Sequence, residues 1–168
     1  CGMVAKEMMQ YVPNTLKVRY EKKFFLQLLG VDYETFVPSI ASEAQKQLGL
    51  EQGHYVLFSD VANTPIKRRD IAEAIVNNMG EKYKLLIMCG VKPDVVPLYI
   101  NAADFVLLTS DEEGSPNIIR EALALNKRVY SVEVGDVAKQ LKGLSNSLIV
   151  SRNVLDAVKA ILQNLECA

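Results

Sequence analysis

The feature that most constrains the fold is an alternation that runs from residue 54 to the end of the chain. Short apolar runs are separated by stretches whose apolar residues recur at helical spacing. The runs are Tyr55-Val56-Leu57-Phe58, Leu85-Leu86-Ile87-Met88, Phe105-Val106-Leu107-Leu108, Val129-Tyr130-Ser131-Val132 and Leu148-Ile149-Val150. They show no polar alternation, so they read as strands buried on both faces. The stretches between them read as helices over residues 66–79, 95–102, 116–125, 136–142 and 154–165. In the first of these, Ile71, Ala74, Ile75 and Met79 would face inward. Strands joined by crossover helices lie parallel, and both faces of such a sheet must be covered. The expected fold class is α/β: a Rossmann-like, mostly parallel sheet with helices on both faces.

The chain before this unit reads differently. Residues 1–12 suggest a short amphipathic helix, residues 14–23 a basic irregular stretch, and Phe24 to Leu29 a strand stopped by Gly30. Ser39 is a candidate cap for a helix running to about Leu48. Apolar residues make up 49% of the 168 residues and the formal net charge is −1. That balance suits one domain with a sizeable core and leaves no electrostatic footprint for nucleic acid or an anionic membrane. No apolar run approaches the length needed to span a bilayer. Cys1, Cys89 and Cys167 are too scattered for a metal site or a disulfide framework, and Cys89, at the end of an apolar run, reads as a buried small hydrophobe. The sole histidine, His54, opens a strand, which argues against a histidine triad or a zinc site. Cys1 in place of an initiator methionine suggests a fragment or a processed start.

In a parallel sheet of this kind ligands lie across the carboxyl ends of the strands. The loop with most chemistry there is Ser110-Asp111-Glu112-Glu113-Gly114-Ser115-Pro116-Asn117, which follows the apolar run 105–108. Ser115 then Pro116 reads as a helix start, with the serine as cap and the proline at the first helical position. Exposed N–H groups at such a start attract phosphate, and Gly114 permits close approach. Glu113 precedes the helix and Glu121 falls at the border of its apolar face, while Arg120 falls on the wet side. The same stretch also reads as an ordinary capped surface helix with incidental acids. A second loop, residues 59–67, ends in Lys67-Arg68-Arg69 at a helix start, where cations oppose the dipole and favour an anionic ligand. A third, Gly90-Val91-Lys92-Pro93, could line a base or sugar pocket. Neither the dinucleotide nor the P-loop fingerprint is present. The contiguous acids Asp111, Glu112 and Glu113 splay in different directions, so no metal is expected.

The run Glu113-Gly-Ser-Pro-Asn-Ile-Ile-Arg-Glu121-Ala-Leu-Ala-Leu-Asn resembles the E-x7-E signature of the retaining glycosyltransferases of family 4, the group 1 glycosyl transferases. Asn101-Ala-Ala-Asp104 through Ser110 is similar to that family's run into the motif, and Arg128 through Val137 to the strand and loop after it. Leu29-Gly-Val-Asp32-Tyr-Glu-Thr-Phe36-Val-Pro38 resembles the segment that enters the donor domain, and Gln47-Leu-Gly-Leu50 the helix end that follows. The resemblance covers residues 28 to the C-terminus, in order. It implies one half of a two-domain GT-B fold: residues 28–168 as the nucleotide-sugar-binding domain, and residues 1–27 as a remnant of the connection to an acceptor domain that is missing here.

The resemblance also implies roles. Glu113 would be the catalytic-site glutamate that meets the donor sugar, and Glu121 would hold the ribose hydroxyls. Gly114, Ser115 and Asn117 would lie along the sugar or distal phosphate, and Gly90 and Val91 beside the base. Lys67 would neutralise the diphosphate leaving group without a metal or other cofactor. One departure stands out. Many members carry a Gly-Arg pair after the first strand, whereas this chain has Ser59-Asp60-Val61, leaving Arg68 or Arg69 to compensate. The expected activity is hexosyl transfer from a nucleoside-diphosphate sugar to a glycan or lipid-linked acceptor, as in polysaccharide biosynthesis. This half alone would be inactive. The full-length protein would be cytoplasmic, at the inner face of the membrane. The alternatives are a non-catalytic nucleotide or sugar-nucleotide binding module, or half of a sugar-nucleotide epimerase.

Overall fold

The computed structural model describes residues 30–60 and 64–167, together with the backbone of Gly2–Met3 and Phe25–Leu26. In chain order the elements are β1 (Gly2–Met3), β2 (Phe25–Leu26), α1 (Ala41–Gln47), β3 (His54–Ser59), α2 (Arg69–Asn78), β4 (Tyr83–Met88), α3 (Val96–Ala102), β5 (Phe105–Leu108), α4 (Asn117–Ala124), β6 (Arg128–Ser131), α5 (Val137–Gln140), β7 (Leu148–Ile149) and α6 (Val154–Glu166). Single 3-10 turns at Pro65–Lys67 and Pro93–Val95 precede α2 and α3.

Strands β3 to β7 form one sheet in the order β4-β3-β5-β6-β7, and every neighbouring pair is parallel. The expected α/β layer is what the chain builds. Alternate residues of each strand feed two apolar layers. Tyr55 and Leu57 join Ile100, Ile119 and Val137 on the face covered by α1, α3, α4 and α5. Val56 and Phe58 join Ala72, Ile75, Ala157 and Ile161 under α2 and α6 on the other face. With both faces covered, the central strands are almost wholly apolar, and the buried Ser131 of β6 bonds its hydroxyl to the Val132 carbonyl. Phe105 sits at the centre, fully buried, with its ring edge-on to Tyr130 at 4.8 Å between centroids. β1 and β2 pair with each other in a separate two-stranded parallel sheet.

Two buried amides fasten the segment that leads into the sheet. Asn101 accepts from the Ser39 N–H at 3.0 Å and donates to the Val37 carbonyl at 3.0 Å. Gln45 donates to the carbonyls of Gly53 and Ala102, both at 2.9 Å. A buried amide left unpaired would be costly, so these bonds hold residues 37–39 and α1 against α3. Through them, Phe36 is carried to the mouth of the sheet. No helix among the described residues is long and apolar enough to cross a membrane.

Several local expectations change. Gly2–Met3 is a strand where a helix was expected, and the rest of residues 1–12, like residues 14–23, lies outside the described residues. The strand expected over 24–29 is described at Phe25–Leu26. Ser39 does not cap α1: the helix starts one residue later than that requires, with Ile40 as its N-cap and no side-chain cap. The helix expected from Ile66 to Met79 is broken at Arg68, which has φ 53° and separates the 3-10 turn from α2. That break rotates the buried face to Ala72, Ile75, Val76 and Met79, leaving Ile71 and Ala74 only half-buried. Cys89 is exposed, because β4 ends at Met88 and the chain turns outward before Gly90.

Truncating Phe105 to alanine removes the ring that packs on Tyr130 between β5 and β6. The Phe105→Ala variant is expected to lose about 3–5 kcal/mol of stability, read as a lower denaturant midpoint at unchanged slope.

Candidate functional site

The strand order reverses between β3 and β5, so their carboxyl ends diverge and leave a crevice between the loops that follow. The β3 loop begins at Asp60, buried at 2% exposure. Its Oδ1 accepts from the Thr64 N–H at 3.0 Å, turning the chain into the 3-10 turn that ends at Lys67. The β5 loop is tied to that turn. The Thr109 hydroxyl lies 3.0 Å and 2.9 Å from the carbonyls of Lys67 and Arg68, and the Asp111 N–H donates to the Ile66 carbonyl at 2.8 Å.

Across the crevice Lys67 Nζ donates to Glu113 Oε1 at 2.6 Å, and the Ser110 hydroxyl donates to the same oxygen at 2.7 Å. The Glu113 side chain is only 13% exposed, so this carboxylate is held by two donors in a partly dehydrated setting. The neighbouring acid faces elsewhere. Asp111 pairs with Arg68 and Arg152, in keeping with the splay expected of a contiguous acid run. Among the described residues no three His, Cys, Asp or Glu side chains converge as metal ligands would.

The loop is supported from below by Gly135 and Asp136. Gly135 has φ 53°, and a Cβ built there would fall 2.3 Å from the Gly114 carbonyl oxygen and 2.8 Å from that of Glu113. Only glycine permits so close a backbone approach with that dihedral. The next residue, Asp136, donates its N–H to the Gly114 carbonyl at 3.1 Å.

Ser115 and Pro116 do not act as expected. The N-cap of α4 is Pro116, with no side-chain cap, and Asn117 is the first helical residue. The Ser115 hydroxyl donates instead to Asp136 Oδ2 at 2.8 Å and accepts from Arg120 Nη1 at 2.6 Å. Arg120 is not on a wet face: it folds back over the helix start, also reaching the Asn117 side chain. The reason is local, since the proline N1 expected to free N–H groups sits one residue too early in extended backbone, φ −68° and ψ 122°. Any ligand here meets backbone rather than the Ser115 side chain.

Glu121 lies apart from Glu113, on the wall of a cavity of about 330 Å³ with Phe36, Pro93, Asp94 and Val96. Its side chain forms no hydrogen bond to another described residue, and burial pushes its carboxyl pKa up, offset in part by the Arg120 charge. A half-buried carboxylate with no donors is suited to a ligand that brings hydroxyl groups. Gly90 follows β4 with φ 64° and is exposed, whereas Val91 packs its side chain into the first apolar layer, leaving backbone for any ligand contact. A larger cavity of about 500 Å³ lies over Asp60, Thr64, Ile66, Arg68 and Asp111. Its charged groups largely satisfy one another, whereas the Glu121 carboxylate on the smaller cavity has no such partner. Neither arginine proposed as compensating is free: Arg69 pairs with Glu73 along α2, and Arg68 with Asp70 and Asp111. Arg152, which donates to the Ser110 carbonyl at 3.0 Å, gave no signal in the sequence because it stands alone in a loop 42 residues away.

No family model and no curated protein matches the sequence of the chain. Solved structures do match. The chain superposes on the glycosyltransferase WaaG of lipopolysaccharide biosynthesis with a TM-score of 0.72 at 13% identity, covering 98% of this chain and 53% of that one. It superposes on HepE of Anabaena, in complex with UDP and glucose, with a TM-score of 0.71 at 16% identity, covering 98% and 53%. The C-terminal domain of the group 1 glycosyl transferase LpcC of Francisella tularensis aligns over 82% of this chain and 88% of its own, with a TM-score of 0.59 at 12% identity. The fold is that of a GT-B C-terminal domain. The chain spans about half the length of the whole glycosyltransferases it matches. In this GT-B half the β3–β5 crevice and the Glu121 cavity lie at the strand ends where α/β sheets bind ligands.

Two substitutions test the geometry. Gly135→Ala forces a Cβ into the Gly114 carbonyl and is expected to destabilise by about 1–3 kcal/mol while displacing the Glu113 loop, read as a lower melting temperature. Glu121 has a raised folded-state pKa, so its carboxylate costs stability once ionised. The wild type should therefore lose stability relative to Glu121→Gln as pH rises from below the ordinary glutamate range through the raised value. Melting temperatures of the two proteins across that range check the sign.

Proposed function

We propose that this domain binds the nucleoside-diphosphate sugar of a retaining glycosyltransferase. The observation that carries the proposal is the pairing of Lys67 with Glu113 across the switch-point crevice, with the undonated Glu121 carboxylate on an adjoining cavity. The named activities of the solved structures sharing this fold support the same reading. In it, the base and ribose enter the Glu121 cavity between Phe36 and Pro93, beside Gly90 and Val91, and Glu121 accepts from the ribose hydroxyls. Lys67 faces the diphosphate. Its ammonium has three donors, of which Glu113 takes one, so it can hold both the carboxylate and phosphate oxygens. Backbone at Gly114, Ser115 and Asn117 lies along the sugar or distal phosphate, and Glu113 meets the sugar.

Lys67 would stabilise charge on the departing diphosphate, the role a metal plays in other phosphate chemistry. Glu113, held by Lys67 and Ser110, is better placed to orient the sugar than to attack it, because a carboxylate with two strong donors is a poor nucleophile. A same-face substitution that keeps the anomeric configuration fits that restraint. The acceptor, a glycan or a lipid-linked saccharide, would approach from a second domain facing this one.

Calorimetric titration of UDP, GDP and ADP tests the site. One diphosphate should bind, and Glu121→Ala should weaken it by about tenfold, the loss of one charge-assisted hydrogen-bonding group. Absence of binding at millimolar nucleotide, or equal affinity in the variant, would overturn the assignment.

A further inference from the structure

We propose that Asp111 is a positioning residue for Lys67: by holding Arg68 and Arg152 together it fixes the turn from which the lysine reaches the crevice. The proposal rests on the assignment of Lys67 to the diphosphate made above.

It starts from an unfavourable backbone. Arg68 has φ 53° and ψ 52°, the left-handed region. Only one other non-glycine among the described residues has positive φ, Asn126. Asparagine tolerates that region; arginine does so at a cost, and such a residue persists where its surroundings over-determine it. The surroundings here are specific. The guanidinium of Arg68 donates to both oxygens of Asp70, at 2.9 Å and 2.8 Å, and its third nitrogen donates to Asp111 Oδ1 at 3.3 Å. The same Asp111 oxygen accepts from Arg152 Nη1 at 3.0 Å, and Arg152 Nη2 donates to the Ser110 carbonyl. Ser110 in turn holds Glu113 with its hydroxyl. One carboxylate thus joins the start of α2, the end of β5 and the loop before α6, with Lys67 and Glu113 on either side of it.

The strength of these pairs decides what they can do. The side chains of Arg68, Asp111 and Arg152 are 35%, 45% and 42% exposed, so water screens them and they add little to global stability. Geometry is another matter. A left-handed turn beside the lysine sets the direction of its side chain, and a displacement of about 1 Å at a binding group is enough to weaken it severely. Loss of Asp111 should therefore be felt in the aim of Lys67 and hardly in melting.

The test is the affinity ratio of nucleoside diphosphate to nucleoside: UDP against uridine, or GDP against guanosine where guanine binds better. Titrations are run on wild type, Lys67→Ala, Asp111→Asn and the double variant, with melting temperatures alongside. Lys67→Ala should lower the ratio by about tenfold. Asp111→Asn should lower it roughly threefold or more with nearly unchanged melting, and should add nothing once Lys67 is gone. Arg68→Gly in the Asp111→Asn background should restore part of the ratio, since glycine takes the left-handed turn unaided. If Asp111→Asn weakens diphosphate and nucleoside alike, or lowers the ratio equally without Lys67, the positioning role is overturned and the Lys67 assignment stands. If Lys67→Ala leaves the ratio unchanged, that assignment fails and the positioning role falls with it.

Discussion

Phe105 and Leu107 point into one apolar layer and Val106 and Leu108 into the other, and all four are at most 1% exposed. A strand with no wet face has to lie inside a sheet covered on both sides, and its neighbours must be joined by helices that cross over it. From that one requirement follow the parallel order, the two apolar layers and the reversal between β3 and β5. The reversal matters most for function. It is where two loops diverge from adjacent strand ends, so polar groups can gather there without interrupting the core.

The acids around that crevice differ in what they lack. Glu113 accepts from two donors at 2.6 Å and 2.7 Å. Asp111 is shared between two guanidinium groups. Glu121 is half-buried with no side-chain donor, so burial raises its pKa, offset only in part by the Arg120 charge. A single stretch of sequence therefore carries a doubly held carboxylate, one shared by two arginines and one half-buried without a side-chain donor. Much of the difference arises from neighbours brought in by other elements: Lys67 from the β3 loop, Arg152 from the β7–α6 loop, and Phe36 and Pro93 around Glu121.

Gly135 shows how closely the supporting layer is fitted. Its backbone lies where any side chain would collide with the Gly114 carbonyl, and Asp136 both bonds that carbonyl and takes the Ser115 hydroxyl. The loop carrying Glu113 is thus held by Lys67 and Ser110 on its crevice side and by residues 135 and 136 beneath. A binding loop needs such restraint, because flexible groups lose affinity to ordering.

The sequence by itself determined the layer architecture, since unbroken apolar runs such as 105–108 have only one economical use. It also offered Glu113, Glu121 and Lys67 as candidates, through local order around a strand end and a helix start and through the family resemblance. It misjudged ends and caps. Pro116 took the cap that Ser115 was expected to form, Arg68 broke a helix that periodicity ran straight through, and Cys89 turned outward one residue past its strand. These are decided by single dihedrals and by competing partners such as Asp136, which lies 21 residues from the serine whose hydroxyl it engages. Only the tertiary structure could set the 2.6 Å contact of Lys67 with Glu113, the sharing of Asp111 by two arginines and the empty surroundings of Glu121. Periodicity records which face of an element is buried; it holds no information about which distant side chain will arrive there.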